Sequence, residues 1–445
     1  TNDSGPLHIA SIVGLPTISF FGPETPYLYG PLGSEHHVFY EDIFCSPCIN
    51  IYNAKASSCD NNICLKNISA EVVTKTIEEK KNFNMKSLIL KKHLSLKFII
   101  RMVNWHLSYY FLGRGTPITA GVYINDVCNY HCIMCDIRMK ESPVIYPREA
   151  QERDIDALSN MGVIYYSISG GEPTLVKDLP ERLAYASKKL PYVHLVTNGS
   201  TMTADLAKRL GATGIQEISI SLDGLESFHN QMRGVSNAFE KGWKAINLLQ
   251  TYAPKVDVVV NSILTPYNLD SLRGLRKKLE DTFPEIYSKY LPLTYHELFL
   301  NAEKNTFFLE GQEPASLEQI KEFIEAAILD PKIVNSSQFL RRAVHFFKGS
   351  KDVLPEQKKC IYPYYSIQFD ASGRPTPCLT GCQPSSAAIG NDLKNYIQSS
   401  DYRGLLKKLE SCEKCRGSMM LCYYEPRLNF PLHQLLLSSF RGKED

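Results

Sequence analysis

Long apolar runs and an excess of one charge are both missing from this 445-residue sequence. No run approaches the ~20 apolar residues of a membrane-spanning helix, which excludes a protein built on such helices. Lys and Arg number 49 against 47 Asp and Glu, a formal net charge of +2. A dedicated nucleic-acid binder normally carries a basic excess or stripe, so no nucleic-acid partner is expected. Internal repeats and low-complexity tracts are absent too. The chain starts at Thr1 with no charged segment followed by an apolar core, so no secretory signal is visible. What remains, 44% hydrophobic and 22% charged residues, is ordinary for soluble globular protein. The length suffices for two or three domains with their own cores.

Cysteine, by contrast, is plentiful. Thirteen occur in three groups: four over 45–64, three over 128–135 and six over 360–422. An odd total in short-spaced groups fits metal ligation better than a disulfide framework. A reducing, cytoplasmic setting is the expectation that follows.

The pattern along the chain divides it into segments. Residues 1–82 alternate short elements: Leu15–Phe21 reads as a buried strand stopped by Gly22-Pro23, and a helix is predicted over Ser69–Lys81. Residues 83–116 are basic and amphipathic, with Lys86, Lys91, Lys92, Lys97 and Arg101 set among apolar residues and Trp105. Such a stretch is either a linker helix packed on the next domain or a helix in peripheral contact with a membrane surface. Over 117–300, short apolar strands at Ile118–Asn125, Val163–Ser169, His194–Thr197, Glu217–Leu222 and Val256–Leu264 alternate with helices. The helical stretches are Arg148–Asn160, Asp178–Lys189, Ala204–Leu210, Ala238–Thr251 and Leu269–Asp281. This alternation predicts an α/β fold with a parallel sheet, open or closed into a barrel, whose function sits at the carboxyl ends of its strands. A helical connection over 301–355, a cysteine-bearing segment over 356–425 and a tail over 426–445 complete the chain.

The first of these strands runs into Cys128-x3-Cys132-x2-Cys135. Three thiolates in so short a loop can wrap one iron–sulfur cubane and leave its fourth iron open to a non-protein ligand. On spacing alone, a zinc site completed by His131, or unliganded thiols, stands beside that reading. Further motifs follow at strand ends: Gly170-Gly171-Glu172-Pro173, Thr197-Asn198-Gly199, and Ser-Ile-Ser-Leu-Asp-Gly from Ser219 to Gly224, then His229 and Arg233. Singly, these are a turn and, at Asp223, a helix cap.

In this order the set resembles the radical S-adenosylmethionine superfamily over residues 95–300. The resemblance implies a partial (β/α)6 TIM-type barrel with a [4Fe–4S] cluster on Cys128, Cys132 and Cys135. It implies S-adenosylmethionine held by Gly170, Gly171, Glu172, Pro173, Asn198, Ser219, Ser221, Asp223 and Arg233. The glycines would let the backbone approach the methionine amino group, and Arg233 would pair with the methionine carboxylate. Reductive cleavage to a 5′-deoxyadenosyl radical that takes hydrogen from a substrate is the implied activity, with a reductant such as flavodoxin or ferredoxin. Met134 departs from the pattern, which usually has an aromatic residue before the third cysteine. No side chain is nominated as a catalytic acid or base.

Cys360 and Cys378 flank a stretch that reads as a hairpin, with a strand at Tyr365–Phe369 and a turn at Asp370–Gly373; Cys412-x2-Cys415 follows a helix. Four such thiolates suit zinc or iron–sulfur equally. Their order resembles the SPASM and twitch extensions of radical enzymes. That implies one auxiliary [4Fe–4S] cluster on Cys360, Cys378, Cys412 and Cys415 in a small C-terminal hairpin domain. The full SPASM cysteine pattern is not present, and Cys382 and Cys422 are left over.

At the other end, Asp3, Ser4, Gly5 and His8 precede a helix and suit either a diphosphate at its positive end or a plain cap. This opening, with Cys45-x2-Cys48-x10-Cys59-x4-Cys64, resembles the carboxyl-terminal end of heptosyltransferase-like glycosyltransferases. Residues 1–82 would then be an α/β fragment of one GT-B half, with a sugar-nucleotide remnant at Asp3, Ser4, Gly5 and His8. Too little of such an enzyme is present for sugar transfer, and the sequence reads as truncated at its start. Cys45, Cys48, Cys59 and Cys64 bind zinc or are buried thiols.

The leading expectation is a radical oxidoreductase or modifying enzyme for a small-molecule or peptide substrate. The glycosyltransferase piece tilts this toward a sugar or glycolipid precursor, by association only. A peptide-modifying maturase is the alternative within enzymes. A non-catalytic iron–sulfur electron carrier or sensor is the alternative outside them, disfavoured because a carrier has no use for a nucleoside pocket.

Overall fold

The computed structural model describes residues 6–8, 17–31, 36–49, 57, 59–84, 100–101, 104–105, 108–109, 115–137, 142–293, 313–349, 360, 362–378 and 393–412. The chain divides into two compact units, one of residues 1–88, 328–331 and 424–445, the other of 89–327 and 332–423. No helix among the described residues is long and apolar enough to cross a membrane.

In the first unit, β1 (Ile18–Phe21) pairs in parallel with β2 (His37–Tyr40), Ile18 opposite His37. Phe20 stacks on Phe39 with ring centroids 5.4 Å apart. The predicted helix is present as Ala70–Asn84. Strand β2 has four residues, too few for its alternation to stand out in the sequence.

The second unit is built on an eight-stranded sheet. Its strands are β3 (Thr119–Tyr123), β4 (Tyr165–Ser169), β5 (Val193–Thr197), β6 (Glu217–Ser221), β7 (Asp257–Leu264), β8 (Tyr287–Pro292), β9 (Ser366–Phe369) and β10 (Pro375–Thr376). The order is β10-β9-β3-β4-β5-β6-β7-β8, parallel throughout except for the β9–β10 hairpin. Strands β3 to β8 are the expected six-stranded parallel core, left open because β3 and β8 do not pair. Between them run α1 (Arg148–Met161), α2 (Leu179–Lys189), α3 (Ala204–Gly211), α4 (Glu226–Arg233), α5 (Ala238–Tyr252) and α6 (Leu269–Thr282). Each long helix buries an apolar stripe at helical spacing, such as Leu179, Leu183 and Ala186 of α2 or Leu275 and Leu279 of α6. These stripes share one core with the outward residues of the strands, among them Ile168, Leu195, Ile218, Ile220, Val258 and Val260.

The hairpin extends the sheet. Strand β9 lies along the outer edge of β3, with Thr119 opposite Ser366 and Val122 opposite Phe369. An uncovered β3 would present a row of unpaired amides and carbonyls, and β9 satisfies them. Of the basic stretch, a few residues are described. Trp105 is buried, stacks on Tyr109 and donates from Nε1 to the Tyr364 carbonyl at 3.2 Å, and Arg101 Nη1 reaches the Val163 carbonyl at 3.2 Å.

The opposite face of the strands is polar. His194 of β5 sits between Tyr165 Oη and Ser167 Oγ at its Nδ1 (2.9 Å each) and Ser219 Oγ at its Nε2 (2.9 Å), with Glu217 Oε1 3.3 Å away. Tyr192 donates to Glu217 Oε2 at 2.6 Å. Burial pushes the His194 imidazole down to about 4, so it is neutral in the fold. Unfolded histidine takes up a proton near pH 6.5, so the unfolded chain binds more protons between pH 6.5 and 4 and stability falls with acid there. The expected loss approaches about 1.4 kcal/mol per pH unit, about 3 kcal/mol in all. Thermal midpoints measured from pH 7 to 4.5 should show this decline, and the His194→Gln variant should flatten it. A variant as acid-sensitive as the parent would show that His194 is not its source.

Candidate active site

The loop leaving β3 carries Cys128, Cys132 and Cys135, all free thiols and all partly exposed. It is clamped from two sides. At the end of β4, Gly171 N donates to Asn125 O at 2.8 Å and Glu172 N to Val127 O at 2.7 Å. The Asn125 side chain doubles this seam, accepting from Gly171 N at 3.1 Å and donating to Glu172 O at 2.9 Å. From the other side, the carbonyls of Arg233 and Met232 at the end of α4 accept from His131 N (3.1 Å) and Ile133 N (3.0 Å). Met134 packs with Phe228 and Met232 in a small apolar cluster against which Cys132 also lies. A flexible thioether thus fills the place where an aromatic ring was expected.

Glycine is required where the strand end meets the loop. Gly170 has φ +145°, and a Cβ at Gly171 would stand 2.0 Å from the Val127 carbonyl oxygen. The Gly171→Ala variant must push the cysteine loop away, at a cost of about 1–3 kcal/mol by analogy with overpacking elsewhere. Reconstituted with iron and sulfide, it is expected to carry clearly less iron per chain than the parent. Equal iron content and an equal thermal midpoint would contradict this.

Burial pushes the Cys128 thiol up and the Cys135 thiol up to about 11. Both are protonated at neutral pH, and ligation would expel their protons. Among the described residues no three His, Cys, Asp or Glu side chains converge on one metal-ion position. A zinc ion needs its sulfurs at ~2.3 Å from a single point, whereas thiolates on one cubane bind separate irons and need no common point. The His131 side chain is exposed. Three thiols on one short loop are a donor set that a cubane can use, each sulfur on its own iron.

The other motif residues occupy the neighbouring strand ends, and several are engaged with the chain itself. Glu172 is buried and caps the turn begun by the buried Pro173. Its carboxylate accepts from Thr174 N (3.0 Å), Thr174 Oγ1 (2.5 Å), Thr197 Oγ1 (2.5 Å) and Asn198 N (2.7 Å), tying the end of β4 to the end of β5. Burial pushes this carboxyl up, opposed by those hydrogen bonds. Asn198 donates from Nδ2 to Asn129 Oδ1 in the cysteine loop at 3.1 Å and accepts from Ser200 N at 2.8 Å. Ser219 is buried and bonded to His194, while the partly exposed Ser221 hydroxyl makes no hydrogen bond among the described residues. Ser221 pairs in register with Asn261 of β7, whose Oδ1 is buried without a partner among the described residues. Tyr130 Oη in the cysteine loop is likewise buried and unpartnered among the described residues. Buried polar atoms are normally paired, so these fit a site that receives a polar ligand.

Asp223 is wholly buried. Burial alone would raise it, but the Arg233 guanidinium holds its carboxyl well below the usual range. Arg233 donates to it from Nε at 2.6 Å and Nη2 at 3.0 Å, and Ile263 N donates at 2.9 Å. The Asp223 amide donates to His229 Nδ1 at 2.9 Å, which leaves the His229 proton on Nε2, buried and unpartnered among the described residues. Asn268 fixes the segment further, donating to the carbonyls of Asp223 (2.8 Å) and Ile263 (2.7 Å). Neither Asn125 nor Asn268 was singled out from sequence. Asn125 could have been found as the amide directly after the first strand, but nothing local marks Asn268.

In the C-terminal part, Cys360 N donates to Glu410 O at 2.8 Å, which sets Cys360 beside the end of the helix Ser400–Glu410 that leads to Cys412. Cys378 is buried two residues after β10, and Cys415 lies outside the described residues, as do Cys382 and Cys422. In the first unit, burial raises the Cys64 thiol, with Cys48, Cys45 and Cys59 near enough to raise it further. Of the sugar-nucleotide set only His8 is described, partly buried; Asp3, Ser4 and Gly5 lie outside.

A three-cysteine loop thus stands at the end of the first strand of an open parallel (β/α)6 sheet, with glycine-rich and polar motifs at the next strand ends. The chain carries a radical SAM superfamily domain, matched over residues 122–279. Residues 1–57 match glycosyltransferase family 9 (heptosyltransferase). The chain is similar to Fe-coproporphyrin III synthase of Methanosarcina barkeri, 33% identical over 131 residues, 29% of this chain and 33% of that protein. It is also similar to the sporulation killing factor maturation protein SkfB of Bacillus subtilis, 26% identical over 71% of this chain and 72% of that protein. The first curated relatives are spanned over only 33–42% of their length. SuiB of Streptococcus suis, in a crystal structure with S-adenosylmethionine, superposes with a TM-score of 0.51 at 14% identity, over 71% of this chain and 76% of that one. That likeness concerns the fold.

Proposed function

We propose that the chain is a radical S-adenosylmethionine enzyme, with Cys128, Cys132 and Cys135 as ligands of a [4Fe–4S] cluster. The observation that carries this is the three-thiol loop held between the Gly170–Glu172 seam and α4, with Tyr130 Oη of that loop unpartnered among the described residues. When bound and reduced, the cluster supplies cleavage of S-adenosylmethionine to a 5′-deoxyadenosyl radical that takes hydrogen from a substrate. The chain's own part is positional. Gly170 and Gly171 bring backbone close to the ligand, Ser221 and Asn261 offer free polar atoms to it, and Glu172, Asn198 and Asp223 brace the strand ends.

The proposal extends to an auxiliary [4Fe–4S] cluster on Cys360, Cys378, Cys412 and Cys415, and zinc on Cys45, Cys48, Cys59 and Cys64. A cytoplasmic one-electron reductant such as flavodoxin or ferredoxin completes it. The glycosyltransferase family 9 match supports a sugar or glycolipid precursor as substrate. The likeness to SkfB, a maturation protein by name, supports a peptide as the second reading.

Anaerobic reconstitution tests the cofactor set. About eight irons per chain and saturable S-adenosylmethionine binding are expected. About four irons would remove the auxiliary cluster, and no binding of S-adenosylmethionine would leave an electron carrier as the better reading. One equivalent of zinc lost on replacing Cys59 and Cys64 by serine would support the amino-terminal site, and none would dismiss it.

A further inference from the structure

The guanidinium of Arg233 is committed in a way its motif does not suggest. Nε and Nη2 both face Asp223, which leaves Nη1, 4.0 Å from the sulfur of Cys132. The Arg233 side chain is 12% exposed and that of Asp223 0%. Asp223 is itself fixed by Ile263 N, Asn268 and His229, and the carbonyl of Arg233 holds His131 N in the cysteine loop. Donor and sulfur are thus parts of one braced unit. Because Asp223 neutralises the guanidinium, what reaches Cys132 is chiefly a directed N–H dipole and not a net positive charge.

We propose that Arg233, oriented by Asp223, donates Nη1–H to the Cys132 thiolate when that thiolate ligates iron, and so raises the reduction potential of the cluster that binds S-adenosylmethionine. The inference rests on the reading of Cys132 as a cluster ligand. Adding one electron to a cluster places negative charge on its sulfurs, and a hydrogen bond to sulfur stabilises that form; such bonds are among the features that set cluster potentials. The electron comes from the external one-electron reductant, and no bond is made or broken. Arg233 is on this account a positioning residue, with no contact to the methionine carboxylate required.

The test is an anaerobic redox titration of the reconstituted full chain. It follows the electron paramagnetic resonance signal that changes on adding S-adenosylmethionine, and the potential is read in the cofactor's absence. In Arg233→Gln the ratio of reduced to oxidised cluster at a fixed solution potential should fall about tenfold, about 59 mV for a one-electron couple. Arg233→Lys keeps the charge but cannot serve Asp223 and Cys132 together, so its potential should fall as well, with parental iron content. The lysine variant decides the matter if the glutamine variant does not fold. Unchanged potentials with weakened S-adenosylmethionine binding would overturn the inference and make Arg233 a carboxylate partner. Unchanged potential and binding, or loss of the cluster in the lysine variant, would overturn it in favour of a purely structural role. A parent chain with no signal responsive to S-adenosylmethionine would sink the cluster reading itself, a result distinct from unchanged potentials.

Discussion

Replacing Cys132 with alanine is expected to reduce formation of 5′-deoxyadenosine to the level seen without protein, while leaving the fold intact. Cys132 is partly exposed and packs at the margin of the small Met134–Phe228–Met232 cluster. Removing one sulfur there costs about 1 kcal/mol or less, well inside a domain stability of about 5–15 kcal/mol. The chemical consequence is of another order, because a loop with two thiols cannot retain a cubane that needs three protein ligands. The variant should therefore keep the parent's far-ultraviolet circular dichroism and thermal midpoint to within a few degrees. It should lose iron and all reductive cleavage. Residual cleavage above one hundredth of the parent's would show that another set of cysteines holds the active cluster.

Glu172→Ala should act on the fold instead. The carboxylate gathers two backbone amides and two hydroxyls at the junction of β4 and β5. Alanine leaves these donors buried without an acceptor, at about 1–3 kcal/mol for each one that water cannot reach. Even with partial relaxation the total is on the order of 5 kcal/mol, comparable with the whole stability of many domains. The expected result is insoluble protein or a thermal midpoint lowered by more than about 10 °C. Glu172→Gln keeps the shape but turns an NH2 group toward donors, so it should fall between parent and alanine. A Glu172→Ala protein as stable as the parent would mean that the carboxylate serves the ligand and not the frame.

The contrast between these two residues shows what local sequence can and cannot tell. The strands at 118–125, 163–169, 194–197, 217–222 and 256–264 were legible because each is a short apolar run followed by a helical stripe, and the structure has strands at all five. Strand β8 was not, since Tyr287–Pro292 places Lys289 and Ser288 among its few apolar residues. Helix α4 was read only as a segment carrying His229 and Arg233, because its apolar contacts, Phe228 and Met232, are made to the cysteine loop and not to the main core. The hairpin was visible through its Asp370–Gly373 turn, but its attachment to β3 depends on a pairing 247 residues apart in the chain, as between Thr119 and Ser366. No local pattern encodes such a pairing. The cysteine spacing marked Cys128, Cys132 and Cys135 as candidate ligands, whereas the role of each bracing side chain depends on which donors the folded strands bring to it.

The most direct measurement is anaerobic incubation of the reconstituted chain with dithionite and S-adenosylmethionine, with products separated chromatographically. The account predicts 5′-deoxyadenosine and methionine in equal amounts from the parent chain and neither from Cys132→Ala. Fully loaded protein that yields neither product would contradict it.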